Sequence, residues 1–305
     1  MTLLTPQQVL QQLKNKKAFY QSELSNINLN SANLDRGQFP EAYLRGADLS
    51  GASCYKTDFS RAILRLAKLN NANLVNAILT KTEFNSASLC NANLREVRAT
   101  KVKFYVAYLD FLDAAFAILT GADIREAKGN NCNFNNANLE KAVFTKAALT
   151  HSNFSKANLR SAIANYADLN HTVWKGADLT RVNFSHSNLT NADLSEVNTN
   201  FTEANLTQAN LQDAEFIEAT LKQTILDRVD VTNTSFLTAN LEGASFKNIN
   251  FKDTILQDTN LENTVWQNID FQDCNVDNAV FTNAQGLTTV QKQWLKNNGA
   301  LNVPQ

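Results

Sequence analysis

The side chains in this chain best suited to chemistry are three histidines and four cysteines. His151 and His171 stand 20 residues apart, a spacing that brings two imidazoles together if the chain repeats with that period. A metal site needs further ligands and a supporting shell. The residues 20 positions before and after the pair are amides, Asn131 and Asn191, so the pair reads as a chance alignment on an exposed surface. Cys54, Cys90, Cys132 and Cys274 are far apart and form no CxxC pair, which points to neither a zinc site nor a disulfide framework. GxGxxG, GxxxxGK[ST], HExxH and GxSxG are all absent, and no Ser-His-Asp or Cys-His set is linked by spacing. The expectation is a protein with no catalytic residues, no metal and no cofactor, and therefore not an enzyme.

The elements that must position these residues follow from one period. Starting at Leu24 and stepping by five gives Leu29, Leu34, Phe39, Leu44 and Leu49, and 28 of the 36 centres up to Thr199 are Leu or Phe. The register slips by two residues between Glu196 and Asn200, then resumes from Phe201 to Phe281 with 14 of 17 centres Leu or Phe. Two places before each centre stands a small or β-branched residue, most often alanine (Ala32, Ala42, Ala47, Ala137, Ala204, Ala239). On an α-helix a step of five rotates each centre by about 140°. On a strand it sends alternate centres to opposite faces. Every centre points inward only if the chain turns once per repeat. Four turns close a square coil of 20 residues, so residue n stacks over n+20 with backbones about 4.8 Å apart. Asn and Ser at the turns then substitute for glycine, of which there are only 9.

Segments such as NNANL (70–74), LRGADL (44–49), CNANL (90–94) and TQANL (207–211) resemble the pentapeptide repeat family, whose pattern is A(D/N)LxX. The resemblance covers residues from about 22 to 285. It implies an all-β solenoid, a right-handed quadrilateral parallel β-helix of about 13 coils, some 60 Å long at about 4.8 Å per coil. Characterised members act mostly by binding. Some cyanobacterial members affect heterocyst differentiation, and the Asn-rich repeats and the LKNNGA segment (295–300) here resemble theirs. Another branch mimics DNA and occupies a topoisomerase.

Repeat arrays require caps. Thr5-Pro6-Gln7-Gln8 is a helix start, with Thr5 as N-cap and Gln8 three residues later. Thr288 or Thr289 opens a second helix that stops at Gly299, with Leu287, Val290, Trp294 and Leu295 able to cover the last coil. We therefore divide the chain into an N-terminal helical cap (1–21), a repeat region (22–285, with its register break near 195–200) and a C-terminal helical cap (286–305). Trp294 and Leu295 are read as a cap or, as the resemblance implies for some members, a dimer contact, so the chain is expected to be a monomer or a C-terminal dimer.

The 20-residue map makes the surface legible. Arg61, Lys81, Lys101, Lys141 and Arg181 fall in one outward column, interrupted by Gly121 and Ser161, with Arg98 and Arg160 on the same face. Residues 1–198 carry 22 Lys and Arg against 16 Asp and Glu, whereas residues 199–285 carry 4 against 13, so the net charge of -1 conceals opposite ends. This charge is either ordinary surface charge, or the basic face docks an acidic partner or the acidic end a basic one. In strict register Tyr105, Tyr108, Phe111, Phe116 and Ile118 also point outward. They are either a contiguous interaction patch or the sign of a local distortion around the poor centre Ala114.

No run of 18 apolar residues and no apolar leader pattern occur, and the net charge implies no whole-molecule attraction to nucleic acid or membrane. The expected protein is cytoplasmic and its partner is another protein, with no nucleic acid and no membrane involved. The reading is a non-enzymatic interaction and regulatory scaffold, in cyanobacterial cell regulation such as heterocyst differentiation. The alternative is a DNA mimic acting on gyrase through the acidic C-terminal coils.

Overall fold

A computed structural model describes residues 4–196, 198–271 and 273–305. The first three residues of the expected N-terminal cap, and Val197 within the expected register break, lie outside it. The chain forms two compact units, Met1–Asn153 and Phe154–Gln305.

In the first unit the backbone pairs with itself every 20 residues along four parallel ladders. One runs Tyr43, Ile63, Glu83, Lys103, Asp123 and Val143, and another runs Asp58, Ile78, Arg98, Ile118 and Asn138. The repeat 47–51 shows how all five backbone donors are used. Ala47 N–H donates to Leu44 O at 3.0 Å, closing a turn. Asp48 N–H reaches back to Ile27 O at 2.9 Å, and Leu49 N–H reaches forward to Lys68 O at 2.7 Å. Gly51 N–H donates to Asn70 O at 2.8 Å. Only Ser50 N–H has no backbone acceptor, and the Asp48 carboxylate takes it at 3.0 Å. Asn73 does the same for Val75, Asn93 for Arg95 and Asn205 for Thr207. Where Asn or Asp stands before the centre, it is therefore the acceptor for the one donor that the repeat leaves over.

Each turn has its left-handed residue two places after the centre, as a type II turn requires. Asn occupies many of these positions, but so do Lys81, Val106, Phe111 and Tyr166, all with φ between 56° and 60°. This corrects the expectation that Asn and Ser replace glycine there. The conformation is imposed by the N–H bond to the next coil, such as Lys81 N–H to Thr100 O at 2.9 Å, and it overrides a preference of about 1–2 kcal/mol.

The interior is filled by centre side chains stacked coil on coil. Phe19, Phe39 and Phe59 stack at 4.8 and 5.3 Å in the first unit. In the second, Phe154 stacks on Trp174 at 4.2 Å and Phe246 on Trp266 at 4.2 Å. Both tryptophans occur in a Thr-Val-Trp triplet, and each indole N–H donates to the threonine two places before it, Thr172 or Thr264, at 2.7 Å. Thr57 and Thr82, also buried, donate to the carbonyls of Leu34 and Phe59 at 2.7 Å, so these interior hydroxyls are satisfied.

The second unit pairs by the same 20-residue step except between Asp178 and Glu215, where partners are 22 apart: Asp178 with Asn200 and Asp193 with Glu215. The longer coil is sealed by Thr199, whose hydroxyl accepts from Gly176 N–H and donates to Ser195 O, both at 2.8 Å. Three short strands, β1 (Ile225–Asp227), β2 (Ser245–Asn250) and β3 (Val265–Asp270), form a parallel sheet in register.

Helix α1 (Pro6–Lys14) starts from a capping box between Thr5 and Gln8 and buries Val9. Helix α2 (Thr289–Asn297) starts from a capping box between Thr288 and Gln291 and buries Leu295. Trp294 stacks on Phe271 at 5.8 Å. Val290, expected with Leu287, Trp294 and Leu295 to cover the last coil, is instead 79 % exposed. Past Gly299 the chain returns to the solenoid, where Leu301 pairs in parallel with Val280.

The Ser50 backbone N–H, and after it the Ser50 hydroxyl, hold the Asp48 carboxyl below its ordinary range. A group whose folded pKa is depressed contributes stability that is present above its unfolded pKa and lost as pH falls through the folded value. At pH 7 Asp48→Ala should destabilise by about 1 kcal/mol, and Asp48→Asn, which keeps an acceptor, by clearly less. Urea midpoints measured down to pH about 3 should show the difference between wild type and Asp48→Ala shrinking.

Candidate interaction surfaces

Fixed by the ladders, each outward side chain stands directly over its equivalent 20 residues away. In the first unit this places Arg61, Lys81, Lys101 and Lys141 in one column at left-handed corner positions, all exposed. They are not electrically equivalent. Arg61 pairs with Glu41 at 3.2 Å and Lys141 with Glu140 at 3.0 Å. Lys81 and Lys101 make no ion pair among the described residues. Arg181 belongs to the second unit, where Glu203 pairs with it at 2.6 Å. The column is thus a focus of charge at Lys81 and Lys101 rather than a continuous basic stripe.

The five expected apolar residues are all exposed, from 37 % for Tyr105 to 55 % for Phe111, while Ala114 is fully buried at its centre. Phe111 and Phe116 therefore do not turn inward. Nor do the five form one patch, which corrects the expectation of a contiguous surface. Tyr108 lies on the ladder of Ser88 and Lys128, and Ile118 lies half a coil away on the ladder of Arg98 and Asn138. The residues girdle a single coil. Tyr108 lies on one face with Tyr105 and Phe111 at its corners, whereas Ile118 lies on the far face with Phe116 at its corner. Cations from neighbouring coils lie over three of the rings: Arg125 on Tyr105 at 5.6 Å, Lys128 on Tyr108 at 6.0 Å and Arg95 on Phe116 at 5.4 Å.

Two groupings were not drawn from the sequence, although Arg98 and Ile118 were each read there as outward. On the first unit's basic face, the ladder Ile78, Arg98, Ile118 runs beside Thr80, Thr100 and Thr120. On the second unit, Ile255, at 37 % exposure, lies near the half-buried Ile217 and Leu237 among exposed acids. Both are visible once positions are listed by their remainder modulo 20, with the two-residue shift applied after Asn198.

His151 lies in the first unit and His171 in the second, both at exposed left-handed corners. Among the described residues no group of three or more His, Cys, Asp or Glu could hold a metal. Cys54, Cys132 and Cys274 are buried, Cys132 at a small inward place beside the poor centre Gly129. Burial pushes the Cys132 thiol up to about 12, far from the thiolate that nucleophilic chemistry needs. One surface hollow, of 250 Å³, is lined by Ile269, Phe271, Val290, Gln291 and Trp294. No helix among the described residues is long and apolar enough to cross a membrane.

Comparison with known proteins agrees with the geometry. The family model described as Pentapeptide repeats matches in 8 copies, over residues 22–65, 67–104, 107–145, 130–163, 152–198, 199–236 and 235–265. The chain belongs to this family, whose members are right-handed β-helical solenoids. Among solved structures it is similar to HetL, a pentapeptide repeat protein involved in heterocyst differentiation regulation from the cyanobacterium Nostoc sp. strain PCC 7120. That match has 23 % identity over 91 % of this chain and 97 % of HetL, with a TM-score of 0.31. It is also similar to QnrB1, a plasmid-mediated fluoroquinolone resistance protein, at 16 % identity over 72 % of this chain and 95 % of QnrB1, TM-score 0.27. A third is a pentapeptide repeat protein of the Arabidopsis thaliana thylakoid lumen, at 22 % identity over 48 % of this chain and 74 % of that one, TM-score 0.19. No curated protein matches the chain.

Burial makes a chemical prediction. In the native protein at pH 8 a thiol reagent should modify Cys90, which is half-buried, and leave Cys54, Cys132 and Cys274 intact until denaturant is added. Rapid native labelling of two or more thiols would contradict the packing described.

Proposed function

We propose that the chain is a non-enzymatic interaction and regulatory protein, a rigid scaffold that binds a protein partner through its faces. The observation that carries this is the filled interior. Stacked Leu, Phe and Trp side chains occupy the centre of each coil, so binding is left to the ladders of outward side chains. In this proposal residues 22–285 are the working repeat region of about 13 coils, and the segments 1–21 and 286–305 cover its ends. The face flanked by Tyr105, Tyr108 and Phe111 is the docking surface, since exposed aromatic side chains supply much of the binding energy at protein interfaces. A cytoplasmic role in cyanobacterial cell regulation, such as heterocyst differentiation, belongs to the same proposal and is supported by family membership and the Asn-rich repeats. Partner capture from cyanobacterial lysate tests it. Tyr108→Asp and Phe111→Asp should each lower recovery of the partner about tenfold or more, equivalent to about 1.4 kcal/mol. Unchanged capture by both variants would remove this face from consideration.

The alternative, a DNA mimic that modulates gyrase through the acidic C-terminal coils, is favoured by one observation. Glu215, Glu218, Asp258 and Asp277 are exposed and make no ion pair among the described residues. Against it, these acids frame apolar side chains instead of forming an even, phosphate-like array. We expect no inhibition of gyrase supercoiling at micromolar protein, and inhibition at that concentration would favour the alternative.

A further inference from the structure

The two units carry opposite charge. Met1–Asn153 holds 18 Lys and Arg against 12 Asp and Glu, a net +6, and Phe154–Gln305 holds 10 against 17, a net -7. On each unit some of that charge lies beside apolar side chains that are exposed (Ile118, Ile255) or half-buried (Ile78, Ile217, Leu237). In the first unit Ile78, Arg98 and Ile118 follow one another on a ladder. Lys81 and Lys101 stand along the edge of the same face, and Lys81, Arg98 and Lys101 make no ion pair among the described residues. In the second unit Ile217 and Leu237 occupy equivalent places on successive coils, with Ile255 on the next. Glu215, Glu218, Asp258 and Asp277 frame them, also without an ion pair among the described residues. Such charges are otherwise hydrated, and they gain most from a surface of opposite sign that also covers the apolar side chains.

We propose that the basic face of the first unit binds the acidic face of the second unit in another copy of this chain. The charge and apolar pattern is complementary. Lys81 and Lys101 stand one coil apart, about 4.8 Å, and Glu218 and Asp258 two coils apart with Thr238 between them, a difference that the long, flexible lysine side chains can span. The contact extends over about four coils of one face, smaller than a standard interface. Association is therefore weak, in the range of about 10 µM, and strongly dependent on salt. The inference goes beyond the partner-binding reading, and the residues it uses are separate from Tyr105, Tyr108 and Phe111.

Sedimentation analysis of the full chain tests it with two double variants, Lys81→Glu/Lys101→Glu and Glu218→Lys/Asp258→Lys. All four positions are exposed corners that keep their backbone conformation, and circular dichroism checks the fold. The wild type should associate with rising concentration in 50 mM NaCl, and its apparent Kd should rise about tenfold or more in 500 mM NaCl. Each variant alone should be a monomer, and a 1:1 mixture of the two should associate again, because each reversed face then meets an opposite one. Wild-type protein that stays monomeric at 100 µM in low salt would overturn the proposal. So would a mixture that fails to associate, or association that survives both variants and is lost in Val290→Asp, which would move the contact to α2.

Discussion

The whole structure depends on one distribution of backbone hydrogen bonds. In a regular repeat such as 47–51, four of the five N–H groups reach carbonyls of the same turn or of adjacent coils, and a side-chain Asn or Asp oxygen takes the fifth where that residue is present. Buried or half-buried amides without acceptors are costly, so an Asn or Asp before a centre is structural, as the Leu or Phe itself is. The same network holds side chains as unsuited to the left-handed region as Val106 and Phe111 at φ of 56° and 58°. With strain, turns and core all set by the backbone, the outward side chains are free to vary, and the surface can acquire aromatic and charged patterns at little cost in stability.

That separation explains why this fold is suited to binding rather than to catalysis. A catalytic site needs groups converging on an enclosed volume. Here the inward positions are taken by packed apolar side chains, and the outward ones diverge from four faces. What the fold does supply is a straight ladder of side chains at fixed spacing, which can match another regular surface over several coils. The girdle of exposed rings around residues 105–118 and the opposite charges of the two units are the features in which this chain departs from a plain repeat.

Much of the fold was legible from the spacing of Leu24, Leu29 and Leu34 and from the alanines two places before such centres. A period of five admits few backbones, so position in the sequence translates directly into position in space. The two-residue slip was visible for the same reason. The capping box at Thr5 was legible because its chemistry is local. Spacing does not show the destination of individual N–H groups, so the role of Asn73 or Asp48 as an acceptor is not legible from it. Val290 and Leu301 were beyond reach because the path of the chain after the last coil follows from tertiary packing. The expected apolar patch failed for a plainer reason. Residues close in sequence were treated as close on the surface, although ten residues along this chain is half a coil, and Tyr108 and Ile118 face opposite ways.

The central claim is that a partner is bound by one face. A photo-crosslinking amino acid placed singly at Lys103, Tyr108, Asn133 and Ile118 samples the four ladders of the first unit in turn. In source-cell extract the account predicts a discrete protein adduct from position 108 and little or none from 133. Equal labelling from all four positions, or no adduct from any of them, would contradict it.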